Sequence, residues 1–205
     1  MPDTDYIAAS HDPDNVKLIK DYALFLLKKG TLQESEKPKG KTWTPPSTVK
    51  PVGYNSEDGA TLHPEAGDTN DFKGHNGAIV LSETSGGYWT LKLAGIECKK
   101  GMAEAYFGVE ADANGGVHVN DAANSQAWEV VLAALDQKGR PLVFYAPDAQ
   151  ISEREDVALN HTNLLQMGVT LKLRKPKGAP MFSLWGLVED VTVAPPQSGG
   201  GTPGH

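Results

Sequence analysis

Alternating apolar and polar positions predict a chain built mainly from short β-strands. In residues 165–173 every second residue is apolar, and the residues between are polar or glycine. This period is typical of a strand with one covered face. Residues 22–27 form a nearly continuous apolar run, which indicates a strand covered on both faces. Similar patterns predict strands at residues 141–146 and 182–193.

Residues 78–96 have the pattern of a β-hairpin. Two strand-like runs, residues 78–84 and 88–96, flank the turn sequence Ser85-Gly86-Gly87. Glycine favours tight turns because it has no β-carbon. We therefore expect these two runs to pair with each other.

One short helix is expected after the hairpin. Cys98, Met102, Ala105 and Tyr106 lie at helical spacing, and Gly108 stands where a helix commonly ends. The spacing places Cys98 on the inner face of this helix, as a small buried residue and not as a nucleophile.

Residues 125–135 fit both a helix and a strand. A helix would place four apolar residues on one face, namely Trp128, Val131, Leu132 and Leu135. A strand would instead align Trp128, Val130 and Leu132, and would end at a turn over residues 136–139. Periodicity alone favours the helix.

Long polar connections and a polar end complete the expected organisation. Residues 29–51 and 55–76 are rich in turn-forming and polar residues, and both predict extended loops without packed structure. One domain is expected over residues 1–193, beginning with an N-terminal arm, and residues 194–205 form a flexible Gly- and Pro-rich tail. Two long loops in one small domain suggest function by contact.

Composition narrows the possible functions of this 205-residue chain. It has 19 basic and 26 acidic side chains, a net charge of −7, and no stretch basic enough for tight nucleic-acid binding. A single cysteine excludes an intrachain disulfide and fits synthesis in a cytoplasm. The N-terminus lacks a signal-peptide pattern, and no apolar run reaches the ~18 residues of a membrane span. Membrane insertion is therefore not expected.

The best metal-like pattern comprises Glu110, Asp112, Asn114 and, eleven positions after the first, Asp121. Alternating oxygen ligands that end in a carboxylate resemble a calcium loop. The last position, however, holds the shorter Asp in place of a bidentate Glu, and Asn-Gly-Gly is also an ordinary turn sequence. A turn is the favoured interpretation, so no metal or cofactor is expected.

No residue pattern typical of catalysis is present in the sequence. The six histidines are scattered without a metal-binding spacing, and no nucleophile, phosphate-loop or dinucleotide motif occurs. We expect a solvated charged loop at a group of four acidic residues: Asp148, Glu153, Glu155 and Asp156. The sequence therefore predicts no catalytic residues and a protein that is not an enzyme.

Residues 53–61 read Gly-Tyr-Asn-Ser-Glu-Asp-Gly-Ala-Thr. They resemble the Gly-Tyr-x-Ser-Glu-Asp-Gly signature near the start of the major tail proteins of siphophages, especially those that infect actinobacteria. The helix expected over residues 96–108 and the strands around Trp128 and residues 142–147 resemble later elements of that family in the same order. The similarity extends from about residue 18 to residue 189.

The resemblance implies a mainly β fold, described as a two-sheet β-sandwich or barrel-like pair of sheets with one short flanking α-helix. It implies a structural virion protein whose hexameric rings stack into the phage tail tube, which conducts DNA. The implied partners are further copies of the chain, tape-measure protein and DNA in the lumen, and tail tip and tail terminator proteins. Assembly would take place in the bacterial cytoplasm. The family's fold also favours a strand at residues 125–135, and the lumen-facing residues stay unidentified.

Three aromatic residues in or beside the polar connections, Trp43, Tyr54 and Phe72, are candidates for contacts between subunits. Long loops bridge successive rings in the family, so we expect other subunits to bury these side chains. The alternative function is a β-sandwich binding or adhesion module that depends on glycan or calcium. Saturable ligand binding by monomers would distinguish it.

Overall fold

The computed structural model describes residues 11–120 and 126–189, which contain one α-helix, nine β-strands and a short 3-10 turn. In chain order the elements are β1 (Ile19–Lys28), β2 (Thr61–Glu65), β3 (Thr69–Lys73), β4 (Ile79–Thr84), β5 (Tyr88–Gly95), α1 (Lys100–Phe107), β6 (Ala127–Asp136), β7 (Pro141–Arg154), β8 (Met167–Leu173) and β9 (Ser183–Trp185).

Seven strands form the main antiparallel sheet. Its order is β1-β6-β7-β8-β5-β2, and β9 adds to it by pairing with β7. The long strand β7 pairs with β6 along one edge and with two strands along the other, where residues 143–145 pair with β9 and residues 149–154 pair with β8. Strands β3 and β4 form a separate two-stranded sheet. The prediction of a mainly β fold with two sheets and one helix is confirmed.

A short extended segment, residues 52–56, lies between β1 and β5. The Val52 N–H donates to Leu24 O at 2.8 Å, and the Ser56 N–H donates to Ala94 O at 2.8 Å. These bonds link the two strands without a continuous ladder, so the sheet stays open and is not a closed barrel. Gly53 has a φ of 100° and a β-carbon there would lie 2.3 Å from Glu97 Oε2, which explains why the family-like signature has glycine at this position.

The main core lies inside the curved sheet. Side chains from β1, β5, β6, β7 and β8 meet in one buried cluster, which includes Leu24, Leu93 and Leu171. Complete burial of each such leucine contributes roughly 1.5 to 3 kcal/mol. Because residues of five strands share this cluster, the sheet must wrap around it.

Helix α1 covers one side of this core with Met102 and Ala105. It ends as predicted, because Gly108 has a left-handed φ of 73° and its N–H donates to Glu104 O at 2.9 Å. The prediction for Cys98 is wrong. This residue precedes the helix and is exposed, because the helix begins only at Lys100.

A second apolar cluster lies on the other face of β1, β6 and β7, and includes Phe25, Val131 and Val143. The segment of residues 29–51 covers it and buries Leu32 and Val49 against it. The segment contains no strand or helix, as expected, but the prediction that it is unpacked is wrong. It takes the place of a second layer on this face.

Four predicted strands are confirmed, and two other strand predictions need correction. The runs at residues 22–27, 141–146 and 165–173 correspond to β1, β7 and β8, and residues 127–135 lie in β6 as the resemblance implied against the helical periodicity. The predicted pairing of residues 78–84 with 88–96 is wrong: β4 pairs with β3, and β5 pairs with β2 and β8.

The prediction of a loop at residues 55–76 is also wrong for nearly half of these residues, since the segment contains β2 and β3. Of the strand predicted at residues 182–193, only β9 is formed within the described part. Residues 190–193, the N-terminal residues 1–10 and the tail 194–205 lie outside the described residues, so the division into a domain and a tail stays a prediction.

Asp148 does not lie in a solvated loop, contrary to the prediction. It is a buried residue of β7. Its carboxylate binds Lys29 Nζ at 2.6 Å and Arg174 Nη2 at 2.5 Å. Burial opposes ionisation of this carboxyl, but the hydrogen bonds from Lys29 and Arg174 outweigh it and lower its pKa. Through Asp148, these ion pairs connect Lys29, at the start of the 29–51 segment, with Arg174, the first residue after β8.

Candidate functional site

Strands β3 and β4, with the turn between them, form a hairpin that we call the arm (residues 69–84). All side chains of both strands are exposed, and both strands belong to the small separate sheet. A two-stranded hairpin without a covered face is at best marginally stable in water. The arm therefore requires another surface to cover it.

The two faces of the arm differ in chemistry. On one face Thr69 pairs with Thr84, their hydroxyl oxygens 3.2 Å apart, and Ser82 Oγ donates to Asp71 Oδ1 at 2.5 Å. On the other face Phe72 lies opposite Leu81. This arrangement gives the arm a polar face with its own hydrogen bonds and a face with an apolar pair.

Four adjacent apolar side chains lie at the outer half of the arm, and we call them the arm patch. Their exposed fractions are 50% for Phe72, 54% for Ile79, 69% for Val80 and 51% for Leu81. A bulge in the ladder brings Ile79 opposite Lys73 and leaves Val80 as the extra residue. Phe72 and Leu81 lie on one face of the arm, and Ile79 lies opposite Lys73 on the other, so exposed apolar side chains occupy both faces of its outer half. Exposed apolar side chains concentrated in this way mark sites of interaction with other proteins.

The arm joins the main sheet through a narrow neck of residues 66–68 and 85–87. A β-carbon at Gly67 would lie 1.7 Å from Ser85 O, and one at Gly87 would lie 2.4 Å from Glu65 O. Only glycine permits these two segments of the chain to approach each other this closely. The Ser85 N–H donates to Asp68 O at 2.8 Å, so the neck is hydrogen-bonded and fixes the position at which the arm leaves the sheet.

The three aromatic contact candidates have different surroundings. Trp43 packs edge-on against Phe25 with ring centroids 5.3 Å apart, and its Nε1 donates to Glu36 O at 2.7 Å. Tyr54 is 78% exposed, and Phe72 belongs to the arm patch. Trp43 thus has a partner within its own chain, whereas the other two side chains are available to a neighbour. Contact of all three with other subunits stays a prediction.

The candidate calcium loop has the geometry of a tight turn. Asp112 Oδ1 accepts hydrogen bonds from the Gly116 and Asn114 N–H groups at 2.7 and 2.8 Å. The bond from Gly116, followed by the interaction with His118 and the bond from Asn114, lowers the pKa of the carboxyl. The Glu110 carboxylate forms an ion pair with Lys28. Asp121 lies outside the described residues, so the four-residue calcium pattern as a whole stays a prediction.

Within residues 11–120 and 126–189, no group of three or more His, Cys, Asp or Glu side chains could hold a metal ion. No helix in the same residues is long and apolar enough to span a membrane.

Sequence reasoning missed most of the arm patch. It singled out Phe72 but placed it in a loop, and it assigned residues 79–81 to a hairpin with β5. No alternation of apolar and polar residues marks these strands, because the polar Asn70 and Glu83 share one face with the apolar Phe72 and Leu81. Sequence reasoning also missed the buried Glu129, whose neighbours in β6 are apolar.

Comparison with known proteins gives one match that covers most of the chain. A family model described as phage tail tube protein matches residues 23–197. No curated protein sequence matches the chain significantly.

Two solved structures show weak similarity. One is the baseplate of the anti-feeding prophage, with 12% identity, coverage of 83% of this chain and 95% of that chain, and a TM-score of 0.44. The other is the sheath-tube complex of an extracellular contractile injection system in the extended state, with 9% identity, coverage of 90% and 98%, and a TM-score of 0.37. At these values the likenesses are too weak to assign a fold or a function.

Proposed function

Because the chain belongs to the phage tail tube protein family, we propose that it assembles into hexameric rings that stack into the tube of the virion tail and conduct DNA. Family membership makes it a structural component of the virion tail. The ring, the stacking and the passage of DNA are the parts we propose. The arm carries the proposal, because it presents apolar side chains that its own chain does not cover.

The energetics of the arm favour contact with another copy. Phe72 and Leu81 are each about half exposed, so covering them completely is worth roughly 1 kcal/mol per side chain. The same gain recurs at every subunit of a repeating assembly. An arm that binds a different surface on the next copy makes a heterologous contact, and such contacts build rings or filaments in place of closed dimers.

The remaining candidates extend this contact surface. We propose that the exposed ring of Tyr54 meets a neighbouring subunit, and that the outer side of Trp43 adds to the same kind of contact. The proposed further partners are tape-measure protein and DNA in the lumen and the tail tip and terminator proteins at the tube ends. The net charge of −7 supports a tube that DNA can pass through without sticking, since like charges repel.

Electron microscopy of the concentrated protein tests the proposal. Wild-type protein is expected to form tubes or rings with a central channel and sixfold symmetry. The double variant Phe72→Ala/Leu81→Ala should raise the concentration needed for assembly about tenfold or more, because each subunit loses roughly 2 kcal/mol of contact energy.

A matched control on the other face of the arm is Thr69→Ala/Thr84→Ala, which also replaces one cross-strand pair. It should assemble nearly as well as the wild type. Failure of the wild type to form rings or tubes at any concentration would count against the proposed function. Equal loss of assembly in both double variants would show that the arm patch is not the contact.

A further inference from the structure

A cleft of about 650 Å³ lies between the 29–51 segment and residues 176–185, above the outer face of β6 and β7. Four lysines surround it: Lys29, Lys37, Lys39 and Lys177. Its apolar walls consist of Pro38, Pro147, Pro176, Pro180 and Trp185. We call it the lysine cleft.

Two of the four lysines are free to meet a partner. Lys29 binds Asp148 and Lys37 binds Glu34. Lys39 and Lys177 are exposed and form no ion pair with any described residue. Glu34 and Glu129 also line the cleft, so its four lysines leave it a net positive charge, on a chain whose net charge is −7.

The floor of the cleft contains a polar group that its own chain does not satisfy. Tyr145 is 7% exposed, and its hydroxyl has no hydrogen-bond partner among the described residues. Burial, together with the nearby carboxylates of Glu129 and Glu34, raises the pKa of Tyr145. The hydroxyl therefore stays protonated and is an unsatisfied buried donor beneath the cleft.

The arm has the complementary composition. Together with its neck it carries three acidic side chains and one basic one, namely Asp68, Asp71, Glu83 and Lys73. Its patch supplies the apolar side chains that proline and tryptophan walls can cover. Apolar contact flanked by opposite charges is the usual composition of a specific protein interface.

We propose that the lysine cleft of one copy binds the arm of the next copy. This inference rests on the proposed function, because it names the surface that receives the arm during assembly. Since the two surfaces lie on different parts of the chain, each bound copy leaves one arm and one cleft free, and the contact can repeat.

Charge distinguishes this cleft from a second apolar groove of about 560 Å³ beside β1. That groove is lined by Leu62, Leu91 and Leu132, among others, but Glu57 and Asp58 lie at it with only Lys20 opposing them. Like charges brought together at an interface disfavour binding. The acidic arm should therefore prefer the lysine cleft.

Charge reversal tests the pairing. The cleft variant Lys39→Glu/Lys177→Glu and the arm variant Asp68→Lys/Glu83→Lys should each raise the concentration needed for assembly about tenfold or more. Combining all four substitutions in one chain should restore assembly to near the wild-type level. The control Lys20→Glu/Lys50→Glu makes the same change in net charge away from the cleft, and should leave assembly nearly unchanged.

Electron microscopy and sedimentation velocity would follow assembly, and circular dichroism would verify that each variant is folded. If a reversal variant does not fold, Lys39→Gln/Lys177→Gln provides a milder change with the same expected direction. Normal assembly of the folded cleft variant would overturn the pairing while leaving the proposed function intact. Two impaired reversals that the combination does not rescue would also overturn it.

A wild-type protein that forms no tubes would contradict the proposed function separately. The cleft–arm contact needs only two copies, so the same variants would then be compared by weak pairwise association in sedimentation velocity. Equal association of the wild type and the cleft variant would reject the contact, and weaker association with rescue in the four-fold variant would support it.

Discussion

Trp43→Ala provides a direct measure of how much the 29–51 segment stabilises a single subunit. Replacing a fully buried tryptophan by alanine costs roughly 3 to 5 kcal/mol. Trp43 is only partly buried, so about half of that cost applies. Its edge-on contact with Phe25 and its hydrogen bond to Glu36 O contribute to the loss. We expect the free energy of unfolding to fall by about 2 to 3 kcal/mol.

Graded variants separate these contributions. Trp43→Phe keeps an aromatic ring but removes the indole N–H, so it should cost about 1 kcal/mol. Tyr54→Ala is the matched control, because this aromatic side chain is 78% exposed and its loss should change stability by less than about 0.5 kcal/mol. The expected order of stability is therefore wild type and Tyr54→Ala, then Trp43→Phe, then Trp43→Ala.

Urea unfolding followed by circular dichroism, at concentrations too low for assembly, measures these differences in the separate subunit. For a chain of this size, a loss of 2 to 3 kcal/mol corresponds to a melting temperature lower by roughly 4 to 12 °C. Unchanged stability of Trp43→Ala subunits, combined with impaired assembly, would refute the reasoning. That result would mean that Trp43 is stabilised mainly by neighbouring subunits.

Three further predictions concern separate parts of the subunit. Burial opposes ionisation of Asp136, but hydrogen bonds from Arg140 and Lys138 lower its pKa to about 2. The ionised carboxylate therefore stabilises the fold fully above the unfolded pKa of about 3.8, and this stabilisation is lost as the pH falls toward 2. Asp136→Asn should accordingly flatten the acid-unfolding curve in that pH range. Gly186→Ala should lower the melting temperature more than Gly139→Ala. Both glycines have a positive φ, but only a β-carbon at Gly186 would clash, because it would lie 2.2 Å from a backbone oxygen. The exposed thiol of Cys98 should react with a maleimide in the folded protein as fast as in urea, and protection of that thiol would contradict its position.

Residues 165–173 illustrate what periodicity can predict. Val169, Leu171 and Leu173 face one buried core, and the demand for a covered face imposes the alternation that the sequence shows. Residues 127–135 illustrate the limit. Both faces of β6 are covered, one by the main core and one by the 29–51 segment. A strand that is apolar on both sides has no period of two, so the helical pattern there arose from burial and not from local structure.

The arm escaped prediction for the opposite physical reason. No residue of β3 or β4 is buried within the subunit, so no core imposes an apolar period on them. Strand β2 was hidden as well, because it contains Pro64 and is exposed along one side. Pairing partners were also beyond sequence reasoning: Trp89 pairs with Leu173 across the sheet, and nothing local in either strand specifies that register.

The chain covers one of its two apolar surfaces outside the main core and leaves the other exposed. The outer face of β1, β6 and β7 is covered within the subunit by the 29–51 segment, which gives the separate subunit a complete core. The arm patch is left uncovered, on a hairpin that adds nothing to that core. Substitutions in the arm should therefore change assembly with little effect on subunit stability, whereas substitutions beneath the 29–51 segment should change subunit stability first. Substitutions in the arm patch can thus alter assembly of this tail tube protein independently of subunit stability, whereas the 29–51 segment contributes to both.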